Sequence, residues 1–322
     1  MDAAVIGTLL ACVALAAAGP PLADRLPPAS AVRLLVPAAL LGAVATVFVL
    51  ATVTFTWLGQ LGVVARLGAW SPRALRLLDP IPVPAAVTAG ALLVLACLWG
   101  AISGVRIARA LVAVRRADRD LTLYASHDAT QTYGGSPVVV VDSETIEAFT
   151  TPGPHARIVV TTGILQALDA EGRQVLLAHE QSHHRHRHPW WNLAADLAAG
   201  LNPLLRPTAV AVRQATERWA DEDAALTCER RCVAATIAQV ALLSMESRRP
   251  AAAAAAGGLV PARVQALLRP PPRLRVRHLA PALTLVLAVV VGSLTVWHDG
   301  ECLFEQAAQA PDAVRVVSPA AR

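Results

Sequence analysis

The sequence of 322 residues contains no lysine, so all 28 of its basic residues are arginine. A phosphate-binding P-loop needs a lysine, as does a Ser-x-x-Lys acyl-enzyme site, and both are therefore excluded. Charge is scarce as well, because only 16% of the residues are charged whereas 55% are hydrophobic. This balance is too apolar for an ordinary soluble protein and predicts a membrane protein. The net charge of +5 comes from arginines beside apolar segments, which predicts a lipid bilayer as partner and no direct nucleic-acid partner.

Four apolar segments are long enough to cross a bilayer, which takes about 20 residues. They cover residues 3–18, 34–61, 83–105 and 279–297. The first begins Met-Asp and lacks the basic start of a signal peptide, so we expect it to be a retained span. The expected domains are three spans within 1–105, a central domain of 106–278, a fourth span at 279–297 and a short outer tail of 298–322.

Arginine placement predicts how the chain is oriented. Five arginines between residues 106 and 119 follow the third span, and five between 263 and 277 precede the fourth. Since positive residues concentrate on the cytoplasmic side, the central domain is predicted to be cytoplasmic and the tail extracytoplasmic. The loop 66–79 opposes this orientation, because it carries three arginines and would lie outside. We predict a multi-pass protein of the cell membrane.

The central domain reads as a mixture of strands and helices. Two β-branched runs, 137–142 and 156–162, predict strands, and the Pro-Gly-Pro turn within 151–154 predicts that they form a hairpin. Asp169 is a suitable N-cap for a helix that ends near Pro189. Further helices are predicted over 190–205, 210–243 and 260–268. The fold class is therefore a mainly α membrane protein with an α+β domain between spans three and four.

The motif His-Glu-x-x-His lies on the first of these helices. Residues four apart share a helix face, so His179 and His183 can point two imidazoles at one metal ion. Zn²⁺ suits such ligands, and Glu180 beside them can take a proton from metal-bound water. The pattern predicts a zinc hydrolase, most often a peptidase. The alternative is a solvated basic helix end that carries histidines by chance.

A third ligand is predicted on a later helix. Glu217 lies 34 positions beyond His183, and its carboxylate would complete a His-His-Glu site. Asp221 follows four residues later on the same face and could accept a hydrogen bond from a ligand histidine. The alternative is a charged, solvated face, because positions 222, 223 and 229 are acidic too. We interpret His184, His186 and His188 as surface residues near the entrance of the site, with metal loading as the alternative.

The five cysteines need no special chemistry. Cys12 and Cys97 fall in spans and act as small apolar residues. Cys228 and Cys232 are spaced as on one helix face in the cytoplasmic domain, where thiols stay reduced, and we expect buried structural residues, with metal binding as the alternative. Cys302 lies in the tail and could pair with a partner.

Five segments together resemble the membrane gluzincin metallopeptidases. They are residues 138–142, 147–149, 157–162, 179–183 and 217–221. Two groups of that kind are similar. One is the HtpX and CAAX-prenyl-protease group, and the other is the BlaR/MecR antirepressor group, whose layout of three spans, a cytoplasmic zinc domain and a fourth span this chain shares.

The resemblance implies a zincin-like domain in which His179, His183 and Glu217 hold zinc and Glu180 is the general base. The chain departs from the β-lactam sensors of the BlaR/MecR group in one respect. Those proteins carry a penicillin-binding domain after the fourth span, whereas here only residues 298–322 follow and no lysine exists to build such a site. We therefore do not expect direct covalent sensing of β-lactams.

The sequence thus predicts a membrane zinc metalloendopeptidase. Its substrate would be a cytoplasmic protein or peptide, and the resemblance implies a transcriptional repressor in a signalling pathway. A substrate strand would pair with the edge of the strand 157–162. Assembly into a homo-oligomer stays open. One alternative is an HtpX-like quality-control protease, and another is a non-enzymatic membrane sensor that binds metal through its later histidines and would keep its metal without Glu217.

Overall fold

The computed structural model describes residues 2–66, 68, 70–124, 130–133, 135–151, 156–247, 260–271 and 273–310. Most of these residues are helical, and four helices are long and apolar enough to cross a membrane. They are α1 (Asp2–Arg25), α2 (Pro28–Gly59), α5 (Val83–Tyr124) and α12 (Val276–Gln309). The predictions of a mainly α protein and of four apolar helices long enough to cross a bilayer are confirmed.

The spanning helices are longer than the apolar segments that predict them. α1 continues through Pro20 and Pro21 to Arg25, and α12 continues beyond Trp297 to Gln309. α5 runs without a break into the arginine-rich stretch, because no glycine or proline occurs between residues 105 and 124 and arginine is a good helix former. Each of these helices thus continues beyond the end of its apolar segment.

The loop between α2 and α5 is folded against the end of the bundle. It contains α3 (Gly62–Ala65) and α4 (Pro72–Leu78). The backbone N–H of Ser71 donates to the carbonyl of Ala307 at 2.9 Å, and Trp70 Nε1 donates to the carbonyl of Gly59 at 3.0 Å. The ring of Trp70 also meets that of Phe304 edge to face, 5.1 Å between centroids. This loop therefore caps α2 and α12.

The sheet has four strands in the order β1-β2-β4-β3. They are β1 (Thr130–Tyr133), β2 (Ser136–Val141), β3 (Ala148–Thr150) and β4 (Ile158–Thr161). Both β-branched runs are strands, as predicted, but β2 and β4 are parallel neighbours, so the predicted hairpin is wrong. The reason is that β3 lies between them in the chain and pairs antiparallel with the other side of β4. Residues 152–154 of the predicted turn lie outside the described residues.

The pairing of β4 also corrects the predicted edge for a substrate strand. β4 has β2 on one side and β3 on the other, so its backbone groups are already used. β3 is the outer strand at this side of the described sheet. A substrate strand that adds to the sheet here would pair with β3.

The sheet packs on the first two helices of the domain. These are α6 (Thr162–Ala167) and α7 (Ala170–His186). Ile158, Val160 and Ile164 are buried in one core with Leu176 of α7. The side chain of Asp169 caps α7 as predicted, by accepting a hydrogen bond from the backbone N–H of Gly172 at 2.7 Å. α7 is therefore a rigid element fixed to the sheet.

A helical hairpin follows α7 and enters the bundle of spans. It consists of α8 (His188–Leu201), a 3₁₀ turn (Pro203–Leu205) and α9 (Arg206–Ala224), and is called here the α8–α9 hairpin. Asn202 Nδ2 donates to Thr46 Oγ1 of α2 at 3.2 Å, and Thr208 Oγ1 donates to the carbonyl of Ala16 of α1 at 3.1 Å. A Cβ on Gly200 would come within 2.6 Å of the side chain of Ser103. These partners lie well inside α1, α2 and α5, so the hairpin packs between the spans.

Two further helices complete the domain, α10 (Arg230–Ser247) and α11 (Val260–Leu267). The predicted helix 210–243 is therefore two helices, α9 and α10. The hydroxyl of Thr227 bonds the carbonyl of Ala224 at 3.1 Å in the break, an alternative to helical backbone pairing. Val233 of α10 packs on α7 through Val175. Residues 248–259, between α10 and α11, lie outside the described residues.

Candidate metal centre and active site

Three predicted side chains meet between α7 and α9. The Nε2 atoms of His179 and His183 are 3.1 Å apart, and each lies 3.6 Å from one carboxylate oxygen of Glu217. Tetrahedral ligands at 2.0–2.1 Å from a zinc ion would be about 3.3 Å apart, so the three groups have the spacing of ligands to a single ion. They form the grouping of potential metal ligands found among the described residues.

Small residues allow the two helices to approach closely. Ala220 and Ala224 of α9 are fully buried, and Ala178 of α7, next to the first ligand, is also buried. Because these side chains are single methyl groups, the backbones of α7 and α9 can bring the two imidazoles and Glu217 within reach of each other. The site is thus built on two rigid helices.

Asp221 and Arg263 surround the cluster with paired charges. Oδ1 of Asp221 lies 3.0 Å from Nδ1 of His179, so the predicted contact with a ligand histidine is present. Arg263 of α11 donates to both oxygens of Asp221, at 2.7 and 2.6 Å, and its Nη1 lies 3.1 Å from Glu217. The guanidinium of Arg263 therefore holds the carboxylates of Asp221 and Glu217 in place. The sequence interpretation missed Arg263, because it belongs to the arginine run read as an orientation signal.

The electrostatics of the cluster favour a cation. Burial lowers the pKa of an imidazole, but close contacts with Asp221 and Glu217 outweigh it and raise the pKa of His179 to about 10. Burial raises the pKa of a carboxyl group, but His179, His183 and Arg263 hold the pKa of Glu217 well below its usual range. Ionised carboxylates therefore face the imidazoles. Two imidazoles and an ionised carboxylate that converge on one point are suitable donors for a divalent metal ion, so the residues present fit the predicted metal.

Glu180 is a separate buried carboxylate beside the cluster. Glu180 is 7% exposed, and one oxygen of its carboxylate contacts the strand β3. Oγ1 of Thr150 lies 3.0 Å from Oε2 of Glu180 and 3.1 Å from its backbone carbonyl. The sequence interpretation missed Thr150, since nothing local marks one threonine among many. The roles predicted for Glu180, the ligands and Asp221 stay predictions.

A cavity of about 530 Å³ opens beside these groups. His179, Glu180 and Glu217 lie in its wall, together with Arg263. Most of the remaining lining is apolar and comes from the sheet, α6, α7 and α10, including Phe149, Ile164, Leu176, Ile237, Val240 and Met245. The cavity can therefore hold a large apolar group next to the polar cluster.

The later histidines do not share one environment. His184 contacts Ser136 Oγ at 3.2 Å and the carbonyl of Ala156 at 3.0 Å, while His186 Nε2 lies 2.8 Å from Asp223 Oδ2. The expectation of a surface residue is wrong for His188, which is 0% exposed. Its Nδ1 lies 2.9 Å from Nδ1 of His183. Burial, and then the neighbouring His183, lower the pKa of His188 to about 2, so it is neutral.

Comparison with known families supports a metallopeptidase. The family model "Peptidase family M48" matches residues 121–259. This range contains α7 with the His-Glu-x-x-His motif and α9 with Glu217 and Asp221, and it ends before Arg263. The four candidate spans lie mainly outside it. No curated protein and no solved structure matches the chain.

Proposed function

We propose that the protein is a membrane zinc metalloendopeptidase that cleaves a peptide bond beside Glu180. The observation that carries this proposal is the convergence of His179, His183 and Glu217 from two helices, with Glu180 as a second carboxylate at the same cavity. Two imidazoles and one carboxylate are a common donor set of catalytic zinc. When bound there, zinc would supply a Lewis acid that polarises water and the substrate carbonyl.

The chain's own residues would move the protons. Glu180 would accept a proton from the attacking water and deliver it to the leaving amine. Thr150 holds one oxygen of that carboxylate, which leaves the other free to face the water. Asp221 and Arg263 would keep His179 and Glu217 in place while charge changes during the reaction.

The substrate is proposed to bind as an extended strand along β3. The outer side of β3 offers backbone groups for pairing, and Thr150 on this strand contacts Glu180. The apolar cavity would then receive a large aliphatic or aromatic side chain next to the cleaved bond. Such a side chain would be buried on binding and would contribute most of the affinity.

We further propose that the domain faces the cytoplasm and that its substrate is a cytoplasmic protein such as a repressor. Arginine placement and the layout shared with the BlaR/MecR group support this. The native cysteines offer a test in sealed, right-side-out vesicles with a membrane-impermeant maleimide. A variant with Cys302 as sole cysteine should be labelled directly, and one with Cys228 only after permeabilisation. The reverse pattern would contradict the orientation.

A membrane-protein substrate, as in HtpX-like quality control, is the second candidate. The observation in its favour is that the α8–α9 hairpin, which carries Glu217, packs between α1, α2 and α5. The hairpin therefore places Glu217 close to the membrane-spanning helices, where a membrane-protein substrate would be. Cleavage of unfolded membrane proteins in vesicles, without cleavage of soluble peptides that carry a large apolar residue, would favour this candidate.

Zinc content of the detergent-purified protein tests the proposal first. We expect about one zinc per chain in the wild type and in Glu180→Gln, and loss of zinc in His183→Ala and Glu217→Ala. Proteolysis should be absent from Glu180→Gln although its zinc is kept. Zinc that survives Glu217→Ala but is lost when His184, His186 and His188 are replaced would support a non-enzymatic metal sensor instead.

A further inference from the structure

We infer that His188 positions the metal ligand His183 by accepting a hydrogen bond from its Nδ1. The two Nδ1 atoms are 2.9 Å apart, and the rings are nearly perpendicular, at 87°. This inference rests on the proposed metal site. It gives the second histidine of the motif an imidazole as its partner, whereas the first, His179, faces the carboxylate of Asp221.

The direction of the hydrogen bond follows from which nitrogen faces the cluster. Nε2 of His183 points to His179 and Glu217, so it must be free of a proton to bind a metal ion. A neutral imidazole then carries its proton on Nδ1, and this N–H needs an acceptor. Nδ1 of His188 is at hydrogen-bonding distance. His188 therefore accepts through Nδ1 and carries its own proton on Nε2.

The backbone between the two histidine-bearing helices brings His188 to this place. Arg187 has φ 54° and is the non-glycine residue with positive φ among the described residues. This left-handed conformation is unfavourable for a residue with a side chain. Arg187 is both the last cap of α7 and the first cap of α8, so the chain reverses here and His188 lies beside His183. Strain of this kind is typical of functional sites.

Packing locks the ring of His188 in one orientation. Trp219, two residues after Glu217, lies 4.8 Å from it between ring centroids, and the ring of His186 lies 5.7 Å away. The guanidinium of Arg33, from α2, lies over the ring of Trp219, 4.8 Å from its centroid. The acceptor is thus held by contacts that reach from both ligand-bearing helices to a membrane span.

The second ring nitrogen of His188 argues against a purely packing role. Nε2 is buried and has no hydrogen-bond partner among the described residues. A buried polar atom without a partner destabilises a protein, and an apolar side chain of similar size would avoid this cost. The polar ring is explained by what Nδ1 does for His183.

Two substitutions separate the positioning role from packing. Asn at position 188 can place an acceptor oxygen near the site of Nδ1 but loses ring contacts with Trp219, whereas Leu keeps apolar bulk and has no acceptor. For a positioning residue we expect His188→Leu to bind zinc about 10–100-fold more weakly than the wild type, and His188→Asn to stay close to the wild type. For a packing residue the order would be reversed.

The measurement is the zinc affinity of the full-length protein in detergent, by competition with a chromophoric chelator. The melting temperature without zinc is measured in parallel, since it reports packing alone. His184→Leu is the matched control, because His184 lies on the same helix as the ligands but contacts Ser136 and the carbonyl of Ala156. We expect its zinc affinity to match that of the wild type.

The outcomes distinguish the two proposals. A wild type that binds no zinc overturns the proposed metal site and this inference with it. A wild type that binds zinc, with His188→Leu equal to it or with Leu better than Asn, overturns the role of His188 and leaves the metallopeptidase proposal standing. Weak zinc binding by His188→Leu, together with near-wild-type zinc binding by His188→Asn, supports the inference.

Discussion

The hydroxyl of Thr150 contacts Glu180 at two points, the side-chain Oε2 at 3.0 Å and the backbone carbonyl at 3.1 Å. Since a hydroxyl has one proton, it donates to one of these oxygens at a time. Either bond joins the outer strand β3 to the helix of the proposed metal ligands. A peptide paired with β3 would therefore arrive at a fixed distance from the proposed general base.

Removal of this hydroxyl should impair catalysis without removing the metal. Thr150→Val keeps the shape of the side chain but leaves Glu180 without its donor, and we expect kcat to fall about tenfold. Thr150→Ser keeps the hydroxyl and should stay near the wild type. Peptide cleavage and zinc content are measured together. Equal activity of the Val variant and the wild type would show that the contact does not matter for the reaction.

Loss of the charge on Asp221 should weaken metal binding. Asp221→Asn keeps the shape but no longer provides the carboxylate that faces Nδ1 of His179 and pairs with Arg263. We expect zinc affinity to fall about 10–100-fold. Asp223→Asn is the control on the same helix, because Asp223 contacts Ser182 and His186 and no proposed ligand. Similar affinities of the two variants would argue against a role for Asp221 in the site.

Narrowing the apolar cavity should change which peptides are cleaved. Ala241 of α10 lies in the cavity wall, and Ala241→Phe would fill part of the space. We expect kcat/KM for peptides with leucine or phenylalanine beside the cleaved bond to fall about tenfold or more, and that for peptides with alanine to change little. Ala235→Phe, on the exposed side of α10, is the control. An equal loss for all peptides would contradict the assignment of the cavity.

A methyl group at the contact of α1 with α9 should destabilise the protein. A Cβ on Gly19 would lie 2.2 Å from Oγ1 of Thr208 and 2.9 Å from its Cβ, so Gly19→Ala must push the helices apart. Such overpacking costs about 1–3 kcal/mol. Gly7→Ala lies on the same helix in open space and should not lower the melting temperature. A melting temperature in detergent that is equal for both variants would contradict this close contact.

The site was predictable from the sequence where its geometry is local to one helix. His179 and His183 follow from helical periodicity, and Glu217 follows because a pair of histidine ligands needs a third ligand, which an acidic residue on a later helix can supply. Arg263, His188 and Thr150 act through contacts between different elements, which periodicity does not encode. Arg263 also lies beyond the range that matches the peptidase family.

The fold shows the same division. The four spans follow from runs of apolar residues, and the two β-branched runs are strands. Their parallel pairing could not be inferred, because the short strand Ala148–Thr150, which pairs with the opposite edge of β4, has little β-branched character. The depth of the α8–α9 hairpin was also missed, since an alanine-rich helix that packs between spans has the same composition as one buried in a soluble core.

The α8–α9 hairpin connects the proposed catalytic site directly to the membrane-spanning helices. Thr208 and Asn202 form hydrogen bonds with α1 and α2, so the hairpin is supported by the spans and not by the peptidase domain alone. A fragment of residues 106–278 would expose the faces of α8 and α9 that the spans now cover, and it would lose the contacts with α1 and α2 that support the hairpin carrying Glu217. The spans are then part of what positions the proposed site, and the thickness and composition of the surrounding bilayer become variables on which turnover would depend.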